Sequence, residues 1–226
     1  MTNISEDRWF LKIKEKVFDG FPSFCKKSME NNYIKNQTKL AKAFDGKHCA
    51  VTIKENGTSA TYYTHGVNDS GICTRNYLLQ PIITEKFLPY YFINKKYSIL
   101  KKLNRFYKDL QITGEIVGPN INNNDRKLIE YDFKVFTIYD IKNKKYLGHD
   151  TVLAICKKLK IPMVETVTDQ LFFNKNKHTP EFFKNMMKSL NYSNTDNKIE
   201  GVVIRPIIES YIGKTNNRLS MTVLNS

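Results

Sequence analysis

CAVTIKENGTSATYY, residues 49–63, contains two strand-like runs separated by three residues. Ala50 to Ile53 favour extended backbone and end at Lys54. An acid, an amide and a glycine follow, which is turn chemistry. A second run then starts at Thr58. The pattern predicts a hairpin of HCAVTIK (48–54) and TSATYYTHG (58–66), with Lys54 at the lip of its turn. A lysine beside a turn glycine is most often a solvated charge. It becomes a nucleophile only where neighbouring groups draw off its proton.

The flanking sequence reads as mixed helix and strand. DLQITGEIVGP (109–119) predicts a strand ending at Gly118-Pro119, and YDFKVFTIYDI (131–141) a long aromatic and β-branched strand. IEGVVIRPI (199–207) and RLSMTVLN (218–225) predict two more. HDTVLAICKKLK (149–160) has helical spacing at Val152, Ile155 and Leu159, with a cap region at His149–Thr151. TPEFFKNMMKSLN (179–191) predicts a helix with Thr179 as N-cap and Pro180 in its first turn. A polar loop, 190–198, joins that helix to the next strand. Residues 91–109 predict one basic helix carrying six Lys and Arg. Its lysines suit a phosphate backbone, and its apolar side suits packing on a sheet. Strands in the middle with helices around them imply an α+β fold of antiparallel sheets.

At 226 residues the chain is long enough for one large domain, and no linker or repeat divides it. An apolar content of 41% excludes a disordered chain. No apolar stretch is long enough to span a membrane, and the polar N-terminus lacks a signal peptide, so an intracellular, cytoplasmic protein is expected. Four cysteines lie far apart without CxxC spacing, which argues for free thiols and against zinc. The formal charge of +14 favours a polyanionic partner over a membrane.

Several polar residues sit on or beside predicted strands. They are Lys54, Arg75 after GIC (71–73), Glu115 in ITGEIVGP (112–119) and Glu200 ahead of GVVIRP (201–206). Phe136 lies inside a strand. Taken singly, each has a bland reading: a strand-end ion pair for the charges, core for the aromatic.

Taken in order, these stretches resemble the covalent nucleotidyltransferase superfamily, most closely ATP-dependent RNA ligases of the Deinococcus/Naegleria type. That family reads K-x-D-G-T-S, S-R-N, G-E-x-V-G-P, an aromatic-rich strand, E-G-x-V-x-R-P and S-F-K-V. This chain has KENGTS (54–59), TRN (74–76), GEIVGP (114–119), VF (135–136), EGVVIRP (200–206) and SMTV (220–223). Upstream, FPSFCKKSME (21–30) is similar to the family's F-P-S-F-x-x-K-T-D-E. The likeness runs from about residue 20 to 226.

The resemblance implies a single nucleotidyltransferase domain over residues 1–226, with a nucleotide groove between two sheets. Residues 1–20 would be a remnant of an N-terminal extension, and no OB domain would follow. It implies ATP as co-substrate, AMP carried covalently on Lys54, and Mg2+ or Mn2+ as cofactor. RNA with 3′-OH and 5′-phosphate ends would be the partner of a monomeric enzyme. By the same resemblance, Thr52, Gly57, Arg75, Glu115, Phe136, Glu200 and Arg205 bind nucleotide together with Lys54. Phe136 stacks on adenine and Thr52 meets its edge. Asn56, Glu115 and Glu200 hold the metal through water.

Three positions depart from the pattern. Asn56 stands for an aspartate, Ile53 for a glutamate, and Thr222 for the lysine that meets the ATP phosphates. Lys214 or Arg218 would be substitutes for that lysine from the preceding loop. Loss of the cation is expected to slow the ATP step more than later ones, because the triphosphate carries most charge there. A capping guanylyltransferase, a small DNA ligase and a nucleic-acid-binding homologue without turnover fit the same residues.

Overall fold

The computed structural model describes residues 18–80, 85–193, 195–213 and 217–225. The expected N-terminal remnant falls almost wholly outside these residues. The α+β class holds, built on two mostly antiparallel sheets. One sheet orders seven strands as β1 (Phe18–Gly20), β6 (Tyr77–Leu79), β5 (Asp69–Cys73), β4 (Thr58–His65), β7 (Leu110–Val117), β8 (Asp132–Asp140) and β9 (Lys145–Tyr146). The other orders β10 (Thr166–Phe172), β3 (His48–Lys54), β11 (Gly201–Pro206), β12 (Met221–Leu224) and β2 (Asn31–Asn32), with only β12 and β2 parallel.

The predicted hairpin around Lys54 does not form. β3 pairs with β10 and β11, whereas β4 pairs with β5 and β7. Residues 55–57 instead carry the chain from one sheet to the other, which places Lys54 at the mouth between them. Gly57 is needed there for closeness, not for turn geometry. A Cβ on it would lie 2.3 Å from the Ile116 carbonyl oxygen and 2.8 Å from Glu115 Cγ.

Each sheet has its own core on its outer face. Tyr62, Ile112, Phe133 and Ile138 of the seven-stranded sheet pack against α2 (Leu88–Tyr97), α3 (Ile99–Phe106) and α4 (His149–Leu159). Val51, Val202 and Val223 of the five-stranded sheet pack against α1 (Gln37–Phe44) and α5 (Pro180–Met187). The inner faces carry polar side chains such as Thr52, Thr61 and Thr113 where they line the space between the sheets, and Tyr63, Cys73 and Tyr139 form a smaller third core on the seven-stranded side. All four cysteines are buried free thiols, as expected.

The basic stretch forms two helices, because Ser98 adopts a left-handed conformation (φ 51°). Ile93 and Ile99 are both fully buried. At roughly 100° per residue an unbroken helix would set them about 120° apart, and the break brings both onto the sheet. Thr179 caps α5 as predicted, accepting from the Phe182 N–H at 3.3 Å. Several elements escape sequence reading, among them the short strands β1, β2, β6 and β9. β10 is an irregular, largely exposed edge strand, and α1 has no side-chain cap to announce it.

Candidate active site

The inner faces enclose a groove of about 310 Å³ lined by Thr52, Lys54, Gly57, Arg75, Glu115, Phe136 and Arg205 among others. Glu200 reaches it from the residue before β11, with Oε2 2.6 Å from Lys54 Nζ; both side chains are about one-third exposed. Thr52 and Val203, 151 positions apart, thus face one another across a single strand pair.

Local structure explains how each is held. Lys54 pairs with Gly201 in the β3–β11 ladder, so Lys54 and Glu200 emerge side by side. The buried Tyr192 hydroxyl donates to the Lys54 carbonyl (3.2 Å) and accepts from the Glu200 N–H (3.1 Å), which fixes the two backbones relative to each other. Glu115 lies opposite Ser59 in the β4–β7 ladder. Phe136 is the extra residue of a β-bulge: the β7–β8 register passes from Thr113↔Thr137 to Gly114↔Val135. The bulge turns Phe136 into the groove and leaves Val135 in the outer core. Gln111 clamps the segment ahead of β2, accepting from the Lys26 N–H (2.8 Å) and donating to the Lys26 carbonyl (2.7 Å). That clamp brings Lys27, Ser28 and Glu30 to the groove wall.

Two candidates are engaged elsewhere. Arg205 donates to the Phe136 carbonyl (2.6 Å) and Ser220 Oγ (3.1 Å), and it pairs with Glu30. Burial alone would raise Glu30, but the Arg205 guanidinium overrides it and holds the carboxyl below its usual range. Arg205 therefore braces the bulge, with its charge already neutralised. Asn56 donates to Asp125 Oδ2 and accepts from Asn122 Nδ2, both at 2.7 Å, in the loop between β7 and β8. Arg218 is held by Glu209 and Thr137, and Lys214 lies outside the described residues. The Thr222 hydroxyl donates to the Val202 carbonyl (3.2 Å). Among the described cations lining the groove, only Lys27 and Arg75 have no acidic partner.

Nothing in the sequence points to Tyr192 or to a buried ion cluster beside the nucleophile candidate. In that cluster Arg126 donates to both Glu55 oxygens (2.6 and 2.8 Å) and lies 2.7 Å from Glu165. The FPSFCKKSME stretch was the one available signal for Lys27 and Glu30.

Glu115 makes no side-chain hydrogen bond among the described residues. Burial pushes its carboxyl up to about 8; Lys54 pulls it down, while Glu200, Glu30 and Glu55 push it further up. An unbonded carboxyl supplies hard oxygen of the kind a divalent cation prefers, though among the described residues no three acidic, His or Cys side chains group closely enough to hold one. The folded state keeps this proton to about pH 8, whereas an ordinary glutamate loses it near 4.5. Stability is therefore lost as pH rises between those values. In chelator, the stability of Glu115→Gln minus that of the unsubstituted protein should grow from pH 5 to pH 9, by on the order of a few kcal/mol. Urea titrations across that range check it, and parallel curves would refute it.

The two-sheet α+β fold matches the RNA ligase nucleotidyltransferase fold. The RNA ligase family model matches residues 47–220, and the chain belongs to that family. A mutant RNA ligase of Naegleria gruberi with ATP and Mn superposes with a TM-score of 0.79 at 26% identity, covering 93% of this chain and 59% of that one. The same ligase with PPi gives 0.78 at 26% identity, covering 92% and 58%. A further mutant with AMP and Mn gives 0.77 at 26% identity, with the same coverage. The chain thus spans under two thirds of the length of these relatives. By sequence, no curated protein matches it.

Proposed function

We propose that the protein is an ATP-dependent RNA ligase that joins 3′-OH and 5′-phosphate ends, and that the chain is its nucleotidyltransferase domain. The observation that carries this reading is the Lys54 amine at 2.6 Å from Glu200, in a groove that also holds Glu115, Phe136 and Arg75. The 2.6 Å contact supports Glu200 Oε2 as acceptor of the proton that Lys54 Nζ loses before it attacks. The amine then forms a P–N bond to the α-phosphorus, and the bond to pyrophosphate breaks. Phe136 stacks on the adenine, held in register by Arg205. Arg75 and Lys27 meet phosphate oxygens, where fixed cations matter most as charge develops. Glu115 and Glu200 would hold Mg2+ or Mn2+ through water, and the cation would supply further neutralisation of phosphate charge. AMP next passes to the RNA 5′-phosphate, and the 3′-OH displaces it.

Incubation with labelled ATP and magnesium, then peptide mapping, tests the reading. The label is expected on the peptide containing Lys54, absent in Lys54→Ala and weak with labelled GTP. Labelling that persists in Lys54→Ala defeats the assignment. A second reading, an RNA-binding homologue without turnover, is favoured by Thr222 and the engaged Asn56. It predicts RNA binding with no label at all.

A further inference from the structure

Two stretches of the chain, 86–108 and 151–164, contain no acidic residue. They converge on the outer face of the seven-stranded sheet, behind the groove, where α3 packs on β4 and α4 on β8. Lys101, Lys102 and Arg105 of α3 meet Lys157, Lys158 and Lys160 at the end of α4. Contacts join the two groups directly. Lys102 Nζ donates to the Leu159 carbonyl at 2.5 Å. Lys158 Nζ lies 5.5 Å from the Phe106 ring and 5.1 Å from the Tyr107 ring, and the Arg105 guanidinium lies 5.1 Å from the Phe106 ring. None of the six cations pairs with an acid among the described residues.

Helix polarity accounts for cations at the end of α4. It accounts equally for Arg105 in the last turn of α3, but not for Lys101 and Lys102 brought alongside them. Burial, and then the charge of Lys160, lower the Lys102 amine from its ordinary value, so the cations already repel one another. Ring and carbonyl contacts hold individual cations, but no anion among the described residues balances their summed charge; a polyanion would.

We propose that this face binds the phosphodiester backbone of the RNA, on a flanking stretch away from the ends being joined. The reading of the protein as an RNA ligase enters only in identifying the polyanion. The surface adds affinity without sequence preference, because phosphate contacts carry none.

The test is fluorescence anisotropy of a labelled RNA hairpin against the full chain, without ATP, over a series of salt concentrations. One variant carries Lys101→Gln, Arg105→Gln, Lys157→Gln and Lys158→Gln. A control carries the same charge change beside the other sheet: Lys35→Gln, Lys39→Gln, Lys42→Gln and Lys177→Gln. Each lost phosphate contact flattens the slope of log K against log salt by about 0.7–0.9, so the first variant is expected to flatten it by roughly three. The control should keep the original slope, and both should retain covalent labelling by ATP. Equal weakening in the two variants, or unchanged binding in the first, overturns the proposal. Loss of labelling in the first alone also overturns it, since the surface would then not be separate from the groove. If the unsubstituted protein fails to label, the ligase reading falls, and the salt slopes still decide the surface.

Discussion

Arg126→Met is expected to lower stability by about 3–5 kcal/mol, as removal of one partner from a buried ion cluster does. Glu55 is only 4% exposed and receives both of its hydrogen bonds from the Arg126 fork. The same guanidinium holds Glu165 and lies 4.8 Å over the Tyr192 ring. Methionine fills much of the volume but leaves Glu55 charged, buried and alone. Arg126→Lys should recover little, because one ammonium cannot reproduce the bidentate fork. Arg126→Met with Glu55→Gln should recover part of the loss, since the stranded charge is gone. Urea midpoints of the three variants check this, and a loss under about 1 kcal/mol for Arg126→Met would refute it. Activity should suffer beyond the stability loss. Glu55 follows Lys54 directly, and Tyr192 bridges the Lys54 and Glu200 backbones.

This cluster also marks where sequence reading stops. Helix α5 was legible because Thr179 and Pro180 signal its start, and β7, β8 and β11 because their composition favours extended backbone. Pairing was not legible. Alternating residues in 48–54 and 58–66 make two strands, but nothing local says that they belong to different sheets. Gly57 decides that by fitting against Ile116, a residue 59 positions away. The bulge at Phe136 was hidden for the same reason, since it exists only in register with Thr113 and Gly114. Arg126 sits in an asparagine-rich run that looks like a solvated turn. Asn120, Asn122, Asn124 and Lys127 do take left-handed backbone, with φ of 45–58°. That tight winding turns Arg126 inward. The candidate residues were found by their order along the chain, which matched a family. Their individual duties were not: Arg205 braces a bulge and Asn56 ties down a loop, and both facts depend on partners far away in sequence.

The second large effect tests the proposed role of the groove toward ATP phosphates, given that Thr222 stands where the family pattern has lysine. Thr222 lies opposite Val203 in the β11–β12 ladder, and Val203 lines the groove, so a side chain at 222 points toward that same face. Arg218 is neutralised by Glu209, Arg205 by Glu30, and Lys54 by Glu200. The uncompensated charge on the wall is that of Lys27 and Arg75. Lys27 is tethered there by its contact with Asn76 (3.2 Å), the neighbour of Arg75. If these two cations meet the phosphates, Lys27→Met with Arg75→Met should cut covalent labelling by ATP by about 10²–10³-fold, the scale of removing preorganised charge from such a site. Sealing of a pre-adenylylated RNA should fall less, because that substrate brings no triphosphate. Thr222→Lys should act the other way and raise the labelling rate while leaving the later step nearly unchanged. Rates of lysyl-AMP formation and of sealing, measured separately, distinguish these outcomes. Equal losses in both steps for the double variant would show that Lys27 and Arg75 serve the RNA end instead of the departing pyrophosphate.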